Sequence, residues 1–237
     1  MPRKHLVASQ TNKKQQLQAK TWQKLAKEIK AAVRVGGSNL EANPRLKAAV
    51  DKALQNNLSR DSIERNINGS NKDQSEMQQV QFECYGPQGV QIIVCGLTDN
   101  NNRTIANLNG YLSKLHGQLA KSNSVKVFFD NLGYILVIKN NNITVDNIME
   151  WTLDYQIVDI KEFDDVFEIK SVPSDFYKIK DVLLAHHCEI YESEIKLIAQ
   201  NVIKNLTDEN KQRLEKFIDS CNEDDDMQWV VTNYEEE

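Results

Sequence analysis

Hydrophobic positions near the start of the chain recur at helical spacing. Over residues 13–34, KKQQLQAKTWQKLAKEIKAAVR, a winding of about 100° per residue places Trp22, Leu25, Ala26, Ile29, Ala32 and Val33 on one side. Lys20, Lys24, Lys27 and Arg34 fall opposite, in line with Lys13 if the helix reaches back that far. Lys30 stands at the edge, and Glu28 is the only acid of the segment. Gly36-Gly37 predicts the end of this helix, because glycine closes a last turn at positive φ. Asn43-Pro44 predicts the start of a second, with Leu46, Val50, Ala53 and Leu54 as its apolar stripe and Asn56-Asn57 at its end. Leu58-Ser59 opens a short third helix, Ser59 capping and Leu58 stapling onto Ile63. A polar linker is expected over residues 69–73.

From Gln78 the period changes to two. Val80, Phe82 and Cys84 alternate, a turn follows over residues 85–89, and residues 90–97 form a second strand, which together predict a hairpin. Residues 102–116 return to helical period through Ile105, Leu108, Leu112 and Leu115, with His116 closing the helix. Strands are expected over 125–129 and, after a turn at Gly133, over 134–139. A helix carrying Ile148, Trp151 and Leu153 then precedes strands at 157–160 and 166–169. Another follows Pro173-Ser174, with Phe176, Ile179, Val182 and Leu183 at helical spacing, and residues 188–191 read as a strand. Counted from Tyr134, this is the strand and helix order of a split βαβ, ferredoxin-like unit. The tail predicts a strand at 199–202, a helix begun by Thr207 with Leu214, Phe217, Ile218 and Cys221 on one face, a solvated acidic turn over 222–226, and a strand at 228–232. It is too small for a core of its own and is expected to pack back on the hairpin.

The fold class is therefore α+β in three domains: a basic three-helix domain at 1–76, a discontinuous α+β domain at 77–133 plus 199–237, and a ferredoxin-like α+β domain at 134–198. Composition adds a division of charge. Residues 1–76 hold 15 Lys+Arg against 7 Asp+Glu, a balance of +8, while the rest of the chain holds 14 against 27, a balance of −13. Such a division suggests a front end that meets a polyanion on a body that repels it. No apolar run has the length of a membrane span, and the start lacks the apolar core of a secretory signal, so a cytoplasmic protein is expected. Cys84, Cys95, Cys188 and Cys221 are scattered without a CxxC pair and read as reduced thiols in the core.

The motifs of catalysis and cofactor binding do not occur: neither GxGxxG nor GxxxxGK[ST] is present, and no base is spaced to a nucleophile. His186-His187-Cys188 are adjacent and cannot all face one metal on a regular element. Asp224-Asp225-Asp226 lacks the spacing of a calcium loop. These observations point to a non-enzymatic chain without metal, cofactor or small-molecule substrate. The basic helix carries the remaining chemistry. A solvated amphipathic helix is the plain alternative, but such faces usually mix signs, and this one does not. The candidate nucleic-acid contacts are Lys13, Lys14, Lys20, Lys24, Lys27, Lys30, Arg34, Arg45 and Lys47. Lysines on phosphates supply affinity and salt dependence with little sequence choice.

Several stretches together resemble the YebC/PmpR family, bacterial regulators with mitochondrial translational activators among their relatives. They are KLAKEIKAAVRVGGSNLEANPRLKAAVDKALQNNLSRDSIERNI (24–67), YGPQGV (85–90), LTDNNNRTIANL (97–108) and VVTNYE (230–235), in the family's order and across nearly the whole chain. The resemblance implies three domains, a helical one and two α+β domains of which one is discontinuous, and no enzymatic activity. It implies a DNA-binding transcriptional regulator or, as the alternative, a ribosome-associated translation factor that binds rRNA and assists difficult sequences such as proline runs. The acidic domains are then candidates for contact with a protein partner. The chain departs from the family at its start, MPRKHL in place of a GHSKW-like segment. It also departs at Trp22, at Cys84 and Gln88 beside the YGPGG-like turn, and at His116, Ala120 and Asn123 where glycines are common.

Overall fold

The computed structural model describes residues 3–69, 77–140 and 142–235, with side chains of the first helix from residue 18 onward. The expected linker, beyond Gly69, lies outside the described residues. The first elements are α1 (Arg3–Gly36), α2 (Pro44–Gln55), α3 (Arg60–Gly69), β1 (Gln78–Tyr85), β2 (Gln91–Thr98), α4 (Asn101–Leu115) and β3 (Gln118–Leu119). Next come β4 (Phe129–Ile138), α5 (Val145–Trp151), β5 (Ile157–Glu162), β6 (Val166–Ser171), α6 (Phe176–Ala185) and β7 (Ile190–Ala199). Last are α7 (Asp208–Glu223) and β8 (Met227–Thr232). They form two compact units, Met1–Lys126 with Val202–Glu237, and Val127–Asn201.

In the first unit, α1–α3 share a core of Leu25, Ile29, Ala32, Leu46, Ala53 and Ile63. Gly37, at φ +80°, closes α1 by donating its N–H to the Val33 carbonyl at 2.7 Å, and the Asn43 Oδ1 caps α2 by accepting from the Leu46 N–H at 3.1 Å. Leu58 and Ile63 are both buried, as a hydrophobic staple requires. Leu54 is exposed, and Ala49 takes its expected place in the α2 stripe. The second core lies under the antiparallel sheet β3-β1-β2-β8, where Ile92 and Val94 meet Leu108 and Leu112 of α4 and Leu214 and Phe217 of α7. The tail thus packs back on the hairpin, β8 pairing with β2 and α7 lying against α4. His116 closes α4 in the left-handed conformation at φ 61°.

The second unit is the antiparallel sheet β5-β6-β4-β7 covered by α5 and α6, the order of a split βαβ fold. Three expectations are corrected around it. Residues 125–129 are not a strand: the Val125 and Lys126 N–H groups donate to Glu83 Oε2 at 2.6 and 2.8 Å and are lost to a ladder, so a 3₁₀ turn forms at Lys126–Phe128. Gly133 is not a turn but a mid-strand residue of β4 paired with Ser171 and Ile195. A Cβ there would lie 2.6 Å from the Ser171 Oγ and 2.8 Å from the Phe176 ring. Because β4 starts early, Phe129 pairs with Ala199, where β7 ends, and residues 200–202 of the strand expected at 199–202 lie outside any strand. Leu153 falls beyond α5 and is 81% exposed.

Candidate nucleic-acid interface

The apolar face of α1 sits where its periodicity places it, with Leu25, Ile29 and Ala32 buried and the Trp22 Nε1 donating to the Asn56 carbonyl at 2.9 Å. The basic face meets an anionic end of the chain's own fold. Lys20 donates from Nζ to the Glu223 carbonyl at 3.2 Å, Lys24 to that of Cys221 at 3.2 Å and Lys27 to that of Asp225 at 2.9 Å. The last carbonyls of a helix have no intrahelical partner and form the negative pole of its dipole. Lys20 and Lys24, at i and i+4 on α1, therefore cap the last turn of α7, and Lys27 at i+7 holds the turn just beyond it. Burial lowers Lys24 to about 8, although Asp224 and Asp225 nearby pull the other way.

The turn that follows α7 is built, not solvated, which corrects the expectation for 222–226. Asp224 and Asp226 are 9% and 5% exposed. The Asp224 Oδ2 accepts from Asn107 Nδ2 at 2.9 Å and from the Tyr111 hydroxyl at 3.1 Å. Asp226 Oδ2 accepts from Arg103 Nε and Nη2 at 2.8 and 2.6 Å and from the Thr104 hydroxyl at 3.3 Å. Arg103 also reaches Asp99 at 2.7 Å. Burial, with Asp224 adding to it, pushes the Tyr111 hydroxyl up to about 12. Lys27, Asp99, Arg103 and the three aspartates line a polar cleft of 540 Å³.

The other candidate residues are distributed around the helical domain. Lys30 and Arg34 are half-buried on α1, and Arg45 and Lys47 are half-buried on the first turns of α2. Lys13 and Lys14 belong to α1, but their side chains lie outside the described residues. Between the two helices the loop is clamped by Asn43, whose Nδ2 donates to the Ala32 and Gly37 carbonyls at 2.9 and 2.8 Å. A Cβ on Gly36 would lie 2.6 Å from that side chain, which is the reason for glycine there. Thus the GGxxxEANP stretch fixes a loop that brings Arg34 and Arg45 to the same end of the domain.

Sequence reading missed two participants. Glu28, the lone acid of the basic segment, is raised by burial and drawn back down by Lys52 and Arg45. Lys52 sets its Nζ 4.4 Å from the centroid of the Trp229 ring, a cation–π contact that joins α2 to β8. No local signal marks Lys52, because its partner is remote in sequence; the isolation of Glu28 among lysines is the signal that could have marked it. Among the described residues no cluster of His, Cys, Asp or Glu could hold a metal ion. His186 stacks on Trp151 with centroids 4.1 Å apart, while Cys188 is buried.

Residues 3–73 match the domain described as TACO1/YebC protein N-terminal domain, and residues 77–234 match TACO1/YebC second and third domain. The chain is 53% identical over 237 residues, all of both chains, to a probable transcriptional regulatory protein of Ureaplasma urealyticum. It is 35% identical to one of Desulforamulus reducens, over 92% of this chain and 91% of that protein. The crystal structure of a conserved hypothetical protein from Aquifex aeolicus superposes with a TM-score of 0.75 at 30% identity, covering 92% of this chain and 90% of that one.

Proposed function

We propose, on the premise that this chain belongs to the TACO1/YebC family, that it is a non-enzymatic, cytoplasmic, nucleic-acid-binding regulator of gene expression, a DNA-binding transcriptional regulator. The basic helical domain meets the phosphate backbone. The division into 1–76, 77–133 plus 199–237, and 134–198 belongs to the same reading. The observation that carries it is what the α1 lysines already hold. Lys20 and Lys24 grip two carbonyl oxygens in the last turn of α7 and Lys27 one in the turn after it, an arrangement of donors that suits phosphate oxygens equally well. Lys13, Lys14, Lys30, Arg34, Arg45 and Lys47 extend that charge, and the −13 balance of the remaining chain orients the protein basic end first.

A second reading, a ribosome-associated translation factor on rRNA, is favoured by the composition of the same face. Lysine-dominated contacts read shape and backbone more than base edges. Crosslinking in cells followed by identification of the bound nucleic acid separates the two. Crosslinks to promoter DNA are the expected result of the first reading, and predominant rRNA crosslinks would replace it with the second. Absence of both would reject nucleic-acid binding. In vitro, reversing Arg34, Arg45 and Lys47 to Glu should weaken binding of a labelled duplex. It should also flatten the salt dependence by roughly one unit of slope per lost phosphate contact.

A further inference from the structure

The second unit carries a surface that the basic end does not involve. β5 is an edge strand, paired with β6 alone. Beside it α5 exposes Met149 and the turn after α5 exposes Leu153, at 53% and 81%, and β5 itself exposes Val158 at 55%. With Val145, Ile157 and Ile160 these residues line a groove of 780 Å³. Three large apolar side chains on one rim are unusual for a surface with no partner.

The backbone of β5 completes the site. Phe163 donates its N–H to the Val166 carbonyl at 2.9 Å, and Asp159 and Lys161 lie opposite Lys170 and Glu168 in the antiparallel register. Antiparallel ladders alternate, so Asp159 and Lys161 spend their N–H and C=O groups on β6, while those of Ile160 and Glu162 face the open edge. The register shift between Ile157 and Asp159 turns Val158 out of the ladder and onto the groove. Charge then selects the occupant. Residues 144–165 carry seven acids, among them Asp146, Glu150, Asp154 and Asp159, and one base, Lys161. A nucleic acid would be repelled by these acids, and a basic segment would be attracted.

We propose that the β5 edge and its groove bind an extended segment of a partner protein, alternating apolar and basic side chains, by strand addition. The segment pairs with Ile160 and Glu162, packs its apolar side chains on Met149 and Leu153 under the rim of α5, and turns its basic ones to the acids around it.

A short capped peptide alternating lysine and valine is the probe, titrated into the full chain by fluorescence anisotropy with amide hydrogen exchange as the second readout. Expected are salt-sensitive binding and slowed exchange at Ile160 and Glu162. Leu153→Glu should weaken binding by roughly an order of magnitude through lost apolar contact. Glu162→Pro should do the same by deleting an open-edge N–H while sparing the β6 ladder. Both positions are exposed, and circular dichroism checks that each variant is folded. A glutamate–valine peptide should not bind. Protection elsewhere in the chain, or binding unchanged in both variants, overturns the proposal. So does concentration-dependent self-association that protects the same amides.

Discussion

Glu83 shows how a buried charge can organise a loop. Its carboxylate, 8% exposed, accepts from the N–H groups of Asn123, Val125 and Lys126 at 2.6, 2.6 and 2.8 Å. Burial alone would raise this carboxyl, but the three backbone donors outweigh it and hold it below the ordinary value. A depressed folded-state value contributes stability above the unfolded pKa that is lost as pH falls through the folded one. Glu83→Gln should therefore lower stability by about 2 kcal/mol or more at neutral pH. In thermal unfolding the gap to the parent should narrow below about pH 4. Lys24 runs the other way. With its folded value near 8 and the ordinary lysine value at 10.5, the unfolded chain holds the extra proton between the two, so stability rises with pH across that window. Asp224, Asp225 and Lys20 face it and stay in place in a Lys24→Met variant. The stability of the parent relative to that variant should increase from pH 8 to pH 10 in paired melts.

At the scale of elements, α1 has two jobs on opposite faces, and each is testable. Lys20 caps α7 through the Glu223 carbonyl and Lys27 holds that of Asp225 just beyond the helix, contacts worth about 0.3–1 kcal/mol each at exposed helix ends. Replacing both with Gln should lower the melting temperature by a few degrees, and high salt should shrink the difference. β4 depends on a missing side chain instead. Gly133→Ala would press a methyl onto Ser171 and Phe176 at the distances given above, overpacking worth about 1–3 kcal/mol by denaturant titration. The contrast explains what was legible. Helix ends were readable because Gly37, Asn43, Ser59 and His116 act within a few residues of themselves. The Gly133 position was not, since the reason for it sits on β6 and α6.

For the whole molecule the division of charge acquires a structural meaning. The +8 end does not merely neighbour acids; part of it is bonded to the end of α7, and Lys52 adds a contact to Trp229. A polyanion that recruits Lys20, Lys24 and Lys27 must take them from those carbonyls. Heparin is a convenient probe: hydrogen exchange over residues 221–226 should quicken as it binds, and the same region should stay protected with a neutral polymer. Unchanged exchange alongside saturable binding would place the contact on Lys30, Arg34, Arg45 and Lys47 instead.

Periodicity, caps and turn residues act locally, and by themselves they determined the α+β class, most helix boundaries, the hairpin and the order of the ferredoxin-like unit. Charge counting determined that the basic residues gather at one end. What the lysines touch, how deeply Asp224 and Asp226 are buried, why residues 125–129 leave the ladder and where β7 ends were decided only by the tertiary structure. In each case the partner lies far along the chain, and a hydrogen bond or close contact has no trace in spacing until folding brings the two segments together. The basic face of α1 is the clearest instance. Its existence is written in the period of the sequence, and its engagement depends on the place to which α7 folds.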